Sequence, residues 1–314
     1  MLAFRPDHPK MDGRFHRIDV TVKRRDVSVS ARKGYYDGRY PADAPSRAIE
    51  GVPPALADFL TASWPSADLP LKATVAAFTS PDGGRPVLSA VIASARRTDP
   101  AGGPDTTPAE VEVVVAAFDR NGRAANFHRQ TLGVTSAPGA RYEVLSKLPL
   151  DPGLYEIRIA ASDRAAGRTG SVFTSVDVPD FARAPLSLSG VVLEIRPGEL
   201  VAPEDALRDV LPIVPTARRE LDRSDHATAF LRVHQGGQDA LRPVQLTARV
   251  QNTAGRIVFE GTRSLSSDDF GKGRTADYSL ELPLDTLEAG EYLLTIEVSE
   301  RSTSVKRDLR FSVR

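Results

Sequence analysis

Alternating apolar and polar residues recur along most of the chain. The first such run lies at residues 15–23, where Ile18, Val20 and Val22 are separated by charged or hydroxyl side chains. This two-residue period is typical of a half-buried strand. A second alternating run follows the basic corner at residues 23–25. The pattern therefore predicts a β-hairpin over residues 13–36, within an N-terminal region at 1–40.

A different pattern follows in residues 41–66. Residues 41–54 are rich in Pro and Ala, as expected of a linker. The sequence PPALADFLTAS then places Pro in the first turn and Leu56, Phe59 and Leu60 on one stripe, which predicts a short helix. We therefore assign residues 41–66 to a linker with a short helix.

From residue 67 onwards the chain consists of strand-like runs separated by turn signals. Asn121-Gly122 stands between two alternating runs, which is a strong hairpin signal. After Pro179 the series starts again with LSLSGVVLEI and ends with VKRDLRFSVR. The second series matches the first closely enough to indicate an internal duplication. The matched pairs are Gly122 with Gly255, Tyr142 with Tyr278, and Tyr155 with Tyr292.

This duplication predicts a mainly β fold with two tandem immunoglobulin-like or fibronectin III-like β-sandwiches. Residues 67–180 form the first sandwich and residues 183–314 the second, preceded by the hairpin and the short helix. The Gly-x-Tyr sequence that recurs before a late strand of each copy has a structural explanation. Glycine supplies a turn, and tyrosine buries its ring at a sheet corner.

Composition excludes several classes of function. Lys plus Arg and Asp plus Glu number 41 each, so no net charge attracts nucleic acid. Residues 1–40 alone are basic, with ten Lys or Arg against five Asp or Glu. The chain has no cysteine, which removes disulfides, thiolate metal sites and cysteine nucleophiles. No apolar run approaches the length of a membrane span, and the N-terminal residues lack the apolar segment of a secretion signal.

Asp26, Ser28 and Ser30 spell D-x-S-x-S, the pattern of a metal-ion-dependent adhesion site. A true site needs a curved loop that brings the three side chains onto one cation. Here three basic residues at 23–25 precede the motif, and an alternating strand pattern would hold the two serines about 6–7 Å apart. We therefore assign no metal ligand and no cofactor to these residues.

Other candidate sites are equally weak. The five histidines have no zinc-type spacing; they are His8, His16, His128, His226 and His234. Asp222, Ser224, Asp225 and His226 include the residue types of a hydrolytic triad, but triads are normally assembled from separate elements, so an acidic turn is the better interpretation.

Asp268 and Asp269 offer at most a weak calcium site, and a flexible hairpin loop is the preferred interpretation of residues 264–278. No phosphate-binding loop, nucleophile elbow or dinucleotide motif is present. We predict no catalytic residue and no enzyme activity.

Residues 12–38, DGRFHRIDVTVKRRDVSVSARKGYYDG, resemble the end of the type A domain in bacterial, Acidobacterial-type VWFA-related proteins. The resemblance continues through the LPL at residues 69–71 and the stretch at 152–181, and so covers nearly the whole chain. It implies that these residues form the C-terminal region of a longer exported protein that has most of its type A domain upstream. The motif residues with which that domain would bind metal are then outside this sequence.

The resulting functional expectation is a non-catalytic extracytoplasmic interaction or spacer module with an unidentified protein partner. The alternative is a carbohydrate-binding appendage, since sandwich domains often bind sugars through exposed aromatic residues. Aromatic residues make up only 6% of the chain, and Trp64 is the single tryptophan. These values favour the first expectation. A hydrolase built on the sandwich loops would need a convergent acid–base pair, which the sequence does not indicate.

Overall fold

A computed structural model describes residues 14–17, 34–37, 51–52, 54–62, 64–94, 109–120, 122–134, 142–164 and 167–314. The chain divides into two compact units, residues 1–50 and 51–314. In the first unit, strands β1 (Arg14–Arg17) and β2 (Gly34–Asp37) pair antiparallel. The D-x-S-x-S motif and most of the predicted hairpin lie outside the described residues.

The second unit begins with helix α1 (Pro54–Thr61) and a first pair of sheets. Its strands are β3 (Leu71–Ser80), β4 (Gly83–Ser94), β5 (Ala109–Phe118), β6 (Ala124–Val134), β7 (Tyr142–Pro149), β8 (Gly153–Asp163) and β9 (Arg168–Val178). Sheet I contains β7-β4-β3, and sheet II has the order β6-β5-β8-β9. Alternate residues of the two sheets, such as Ile92, Val113 and Ile159, meet in one buried core.

A second pair of sheets follows. Its strands are β10 (Ser187–Leu188), β11 (Val192–Arg196), β12 (Leu200–Ala202), β13 (Glu220–Leu221), β14 (His226–His234), β15 (Val244–Asn252), β16 (Ile257–Leu265), β17 (Thr275–Glu281), β18 (Gly290–Glu300) and β19 (Thr303–Val313). Sheet III joins β10, β11 and β17 to β14, and sheet IV has the order β13-β19-β18-β15-β16. They enclose a separate core that includes Leu231, Leu246 and Ile296.

The strand order makes the chain mainly β, with immunoglobulin-like and fibronectin III-like sandwiches. In the first copy β5 and β8 are the central strands of sheet II, and in the second copy their counterparts β15 and β18 are neighbours inside sheet IV. The corresponding turns also agree. Gly122 and Gly255 both have positive φ, at 71° and 77°. Each donates its N–H to the carbonyl three residues earlier, Asp119 or Asn252.

The paired tyrosines lie in corresponding strands. Tyr142 in β7 and Tyr278 in β17 are buried in the two sandwich cores. Tyr292 donates its hydroxyl to the Glu288 carbonyl at 2.7 Å, which is the arrangement of a tyrosine corner. The Tyr155 ring is only partly buried and lies beside Gly153, where a Cβ atom would be 3.6 Å from the ring.

Helix α1 lies against β8 and β9 on the outer side of sheet II. Outward-facing residues of this sheet, including Val114, Ala116 and Ala160, are fully buried. The Arg158 guanidinium donates to the carbonyls of Leu60 at 2.6 Å and Ala62 at 3.1 Å, at the end of the helix. This places a cation at the negative end of the helix dipole.

The two sandwiches are in direct contact through the outer faces of sheets I and III. We call the buried apolar contact between them the interface core; it contains Ala76, Phe78, Val91, Leu145, Val192, Leu207, Val210, Leu211, Ala217 and Phe230. The Phe78 and Phe230 rings stack with centroids 6.0 Å apart. Residues 203–217, between β12 and β13, supply four of these side chains and fill the space between the sheets.

Strand exchange also connects the sandwiches. Strand β12 lies within residues 183–314 but pairs in parallel with β7, so that sheet I becomes β12-β7-β4-β3. The Gly190 N–H, between β10 and β11, donates to the Ala77 carbonyl in β3 at 3.1 Å. A domain boundary at residue 183 would therefore separate β12 from the sheet of the first sandwich to which it is paired.

A methyl group at Gly190 should weaken this contact. A Cβ atom there would lie 2.5 Å from Ala76 Cβ, well inside van der Waals contact. We expect Gly190→Ala to reduce the free energy of unfolding by about 1–3 kcal/mol, as for other overpacked sites. Gly133→Ala, where nothing lies within 4 Å, is the matched control and should be neutral or slightly stabilising. Urea unfolding measures both; equal effects would contradict the proposed contact.

Candidate functional site

The triad-like group at residues 222–226 forms an acidic turn held by one arginine. Arg218 binds Asp225 at 2.6 Å and Asp222 at 2.9 Å. The Asp222 N–H also donates to the Asp225 carboxylate at 2.7 Å. His226 is exposed and faces Glu281 rather than these carboxylates. The Asp225 N–H donates to the Asp222 carbonyl at 2.9 Å, so these residues form the predicted turn.

Asp268 and Asp269 belong to a short 3-10 turn at Ser267–Asp269. Asp269 accepts hydrogen bonds from the N–H and hydroxyl of Ser266, at 2.6 and 2.8 Å. These bonds hold the pKa of Asp269 below its ordinary value. Further along the loop, Gly273 lies against the turn between β3 and β4, where a Cβ atom would be 2.4 Å from backbone atoms of Asp82 and Gly83. The loop is therefore packed against the first sandwich.

His128 and His234 lie in different sandwiches. His128 in β6 bonds Ser146 in β7 at 2.8 Å, and burial together with Lys147 lowers its pKa. His234 lies in sheet III. Within the residues that the structure describes, no three His, Asp or Glu side chains come together as a metal site.

The dominant polar feature is Arg232, which points from β14 into the contact between the sandwiches. Its side chain is fully buried. It binds both carboxylate oxygens of Asp277 on the neighbouring strand, at 2.5 and 2.9 Å. Its other terminal nitrogen donates to the Thr79 carbonyl at 2.6 Å and to the Val210 carbonyl at 3.0 Å. One guanidinium thus joins both sandwiches and the segment between them.

Arg232 is the middle member of a row on the outer face of β14. Phe230, Arg232 and His234 alternate with core residues, so all three point towards the first sandwich. Phe230 stacks on Phe78, and the His234 ring lies 4.1 Å from Phe181, at the start of the segment that joins the sandwiches. Burial, with a smaller contribution from Arg232, lowers the His234 pKa to about 3.

Glu143 and the nearby Arg219 anchor the other end of the intervening segment. Glu143 in β7 accepts from the Thr216 hydroxyl at 2.7 Å and the Ala217 N–H at 2.8 Å. Burial raises the pKa of Glu143 and lowers that of the nearby Arg219 to about 10, while their attraction opposes both shifts. Arg219 also donates to Thr74 at 2.8 Å. Like Arg232, this pair uses its hydrogen bonds to hold the sandwiches together.

Sequence reasoning did not identify these residues. Arg232 lies in the run AFLRVH, where a single arginine between apolar residues suggests an ordinary exposed strand position. One signal was available in the sequence: Phe230 and His234 lie on the same strand face as Arg232. That face is therefore not uniformly polar, as a solvent-exposed face would be. Glu143 carries no local signal, because its partners are 73 and 74 residues away in sequence.

Trp64 is the most exposed large apolar side chain in the described part of the chain, at 78%. It follows α1 and lies outside the sandwich cores. No helix among the described residues is long and apolar enough to cross a membrane.

Comparisons with known proteins do not assign a family. No family model matches the chain, and no curated protein matches it. Among solved structures, the BSP domain of a biofilm-associated protein is 11% identical with a TM-score of 0.29, covering 77% of this chain and 29% of that one. The FN1–FN3 domains of chicken CNTN1 are 11% identical with a TM-score of 0.22, covering 80% and 67%.

A glycosyl hydrolase family 2 member from Bacteroides cellulosilyticus is 11% identical with a TM-score of 0.26, covering 74% of this chain and 28% of that one. The chain thus spans less than a third of the biofilm and hydrolase chains. These are β-rich proteins of unlike function, and likeness at this level carries no argument about activity.

Replacing Arg232 should be costly. Arg232→Met keeps much of the side-chain volume but leaves the carbonyls of Thr79 and Val210 without their donor. We expect these unpaired groups to reduce the free energy of unfolding by about 2–4 kcal/mol. The loss is not larger because Asp277 is partly exposed, so water can solvate its carboxylate when the arginine is removed. Arg249→Met is the matched control, because Arg249 forms partly exposed ion pairs with Glu260 and Glu297; it should cost less than about 1 kcal/mol. Similar losses in chemical denaturation would refute a special role for Arg232.

His234 should make the folded state sensitive to acid. Unfolded histidine binds a proton near pH 6.5, whereas folded His234 does so only near pH 3. Between these values the unfolded state binds more protons, so the contribution of His234 to stability falls as pH falls. The slope approaches about 1.4 kcal/mol per pH unit. The stability difference between wild type and His234→Gln, measured by urea unfolding from pH 7 to 4, should shrink on acidification; a constant difference would contradict this assignment.

Proposed function

We propose that this chain is a non-catalytic spacer and interaction module of a larger extracytoplasmic protein related to the VWFA group. The observation that carries the proposal is the buried contact between the sandwiches. Its interface core, the Arg232 hydrogen bonds and the exchanged strand β12 all act between the same two bodies. A contact of this kind favours a fixed angle between domains over independent motion.

A fixed angle suits a module that holds neighbouring parts of a protein at a set separation. Three of the described groups with shifted pKa values, Glu143, Arg219 and His234, lie in or beside the contact between the sandwiches. Their hydrogen bonds and packing are directed at other parts of this chain. The VWFA-related setting and the extracytoplasmic location rest on the sequence resemblance, and the partner is expected to be a protein.

Rigidity can be measured directly, because the chain has no cysteine to interfere with labelling. Spin labels at Thr131→Cys in β6 and Lys306→Cys in β19 would report the distance between the sandwiches from two exposed positions. We expect one narrow distance distribution by pulsed electron paramagnetic resonance, broadened by Arg232→Met and unchanged by Arg249→Met. A broad distribution in the otherwise wild-type chain would exclude a rigid spacer.

A carbohydrate-binding appendage is the second candidate, favoured by the exposure of Trp64. As the single tryptophan, Trp64 reports ligand stacking through its fluorescence without interference. For a spacer module, we expect no saturable change on titration with a panel of oligosaccharides. A saturable shift that Trp64→Ala abolishes, with matching signals on a glycan array, would favour the appendage instead.

A further inference from the structure

Three polar residues form a buried row across sheet III. Ser187 in β10 lies opposite His234 in β14, and His234 in turn lies opposite Thr275 in β17. All three are buried, with exposures of 6%, 3% and 7%. The row is on the face that meets the first sandwich, next to Arg232.

Two members of the row have polar atoms that bond nothing in the protein. Ser187 Oγ and His234 Nε2 are both buried and have no hydrogen-bonding partner among the described residues. Thr275 differs, because its hydroxyl donates to the Pro81 carbonyl at 2.8 Å. The Phe181 ring lies against the His234 ring, with centroids 4.1 Å apart, and both unpaired atoms are shielded from bulk solvent.

Leaving both atoms unpaired would be costly, since each buried unsatisfied polar group loses its hydration without replacement. The Cβ atoms of directly opposed residues in an antiparallel pair lie about 4.5–5.5 Å apart. A hydroxyl and an imidazole in this arrangement can bind the same small molecule. Burial beside the Arg232 cation keeps the imidazole neutral, which leaves each group able to form a bond with water.

We propose that Ser187 Oγ and His234 Nε2 bind one internal water molecule, which bridges β10 and β14 at the contact between the sandwiches. A metal ion fits poorly, since only two neutral groups converge there and a guanidinium is close. Buried waters typically bond two to four such groups. This site is independent of the proposed spacer function.

A crystal structure of the whole chain at high resolution tests the site directly. We expect solvent density within about 2.7–3.2 Å of both Ser187 Oγ and His234 Nε2. A direct hydrogen bond between Ser187 and His234 would overturn the proposal. The absence of solvent density near both Ser187 Oγ and His234 Nε2 would also overturn it.

Stability measurements provide a second test with an internal control. Ser89 Oγ is also buried without a partner in the described chain, but Ser89 lies opposite Ala76 and Lys147 rather than a histidine. Ser187→Ala removes one of the two water ligands and should lower the melting temperature by about 2–4 °C. Ser89→Ala removes only an unsatisfied hydroxyl and should leave the melting temperature unchanged or raise it. If Ser187→Ala behaves like Ser89→Ala, the hydroxyl holds no water and the proposal fails.

Discussion

The burial of Arg232 is the constraint on which the relation between the two sandwiches depends. A guanidinium removed from water must have nearly all of its donors satisfied, or its desolvation would exceed any gain from packing. Arg232 obtains its partners from three places: Asp277 on the next strand, Thr79 in the first sandwich and Val210 in the intervening segment. Separating the sandwiches would break the hydrogen bond to Thr79 and expose the apolar residues of the interface core to water. The polar and apolar parts of the interface therefore support one arrangement.

The two copies show how the same sandwich adapts to different surroundings. In sheet II the outward positions Val114, Ala116 and Ala160 are apolar and buried. The matching positions of sheet IV are Thr247, Arg249 and Glu297, which are partly exposed, and Arg249 pairs with Glu297. The repeat fixes the core face in both copies, because alternate residues must fill each core. The residues on the outer face differ between the copies, because the two outer faces have different surroundings.

The polar groups at the interface resemble a functional site in composition, and their hydrogen bonds join parts of this chain. Glu143 and Arg219 lie together beside the segment that fills the interface, and their pKa values move in the directions that burial dictates. Perturbed pKa values often mark catalytic groups, but structural ion pairs produce the same signature. The Glu143 carboxylate accepts hydrogen bonds from Thr216 and Ala217, which connect the first sandwich to the segment before β13.

The sequence by itself determined the mainly β class, the positions of most strands and the matching turns. These features depend on local alternation and on residues such as Gly122 and Gly255, whose positive φ favours glycine. It also correctly described residues 222–226 as an acidic turn. Comparing Ala116 with Arg249 in the aligned copies would have indicated that the outer face of sheet II is more buried than that of sheet IV.

Only the tertiary structure decided that the outer faces of sheets I and III meet, that β12 joins the other sandwich and that Arg232 is buried. These contacts join residues far apart in sequence: Arg232 and Thr79 are 153 positions apart. A period of two residues identifies the two faces of a strand but does not reveal which surface will cover the second face.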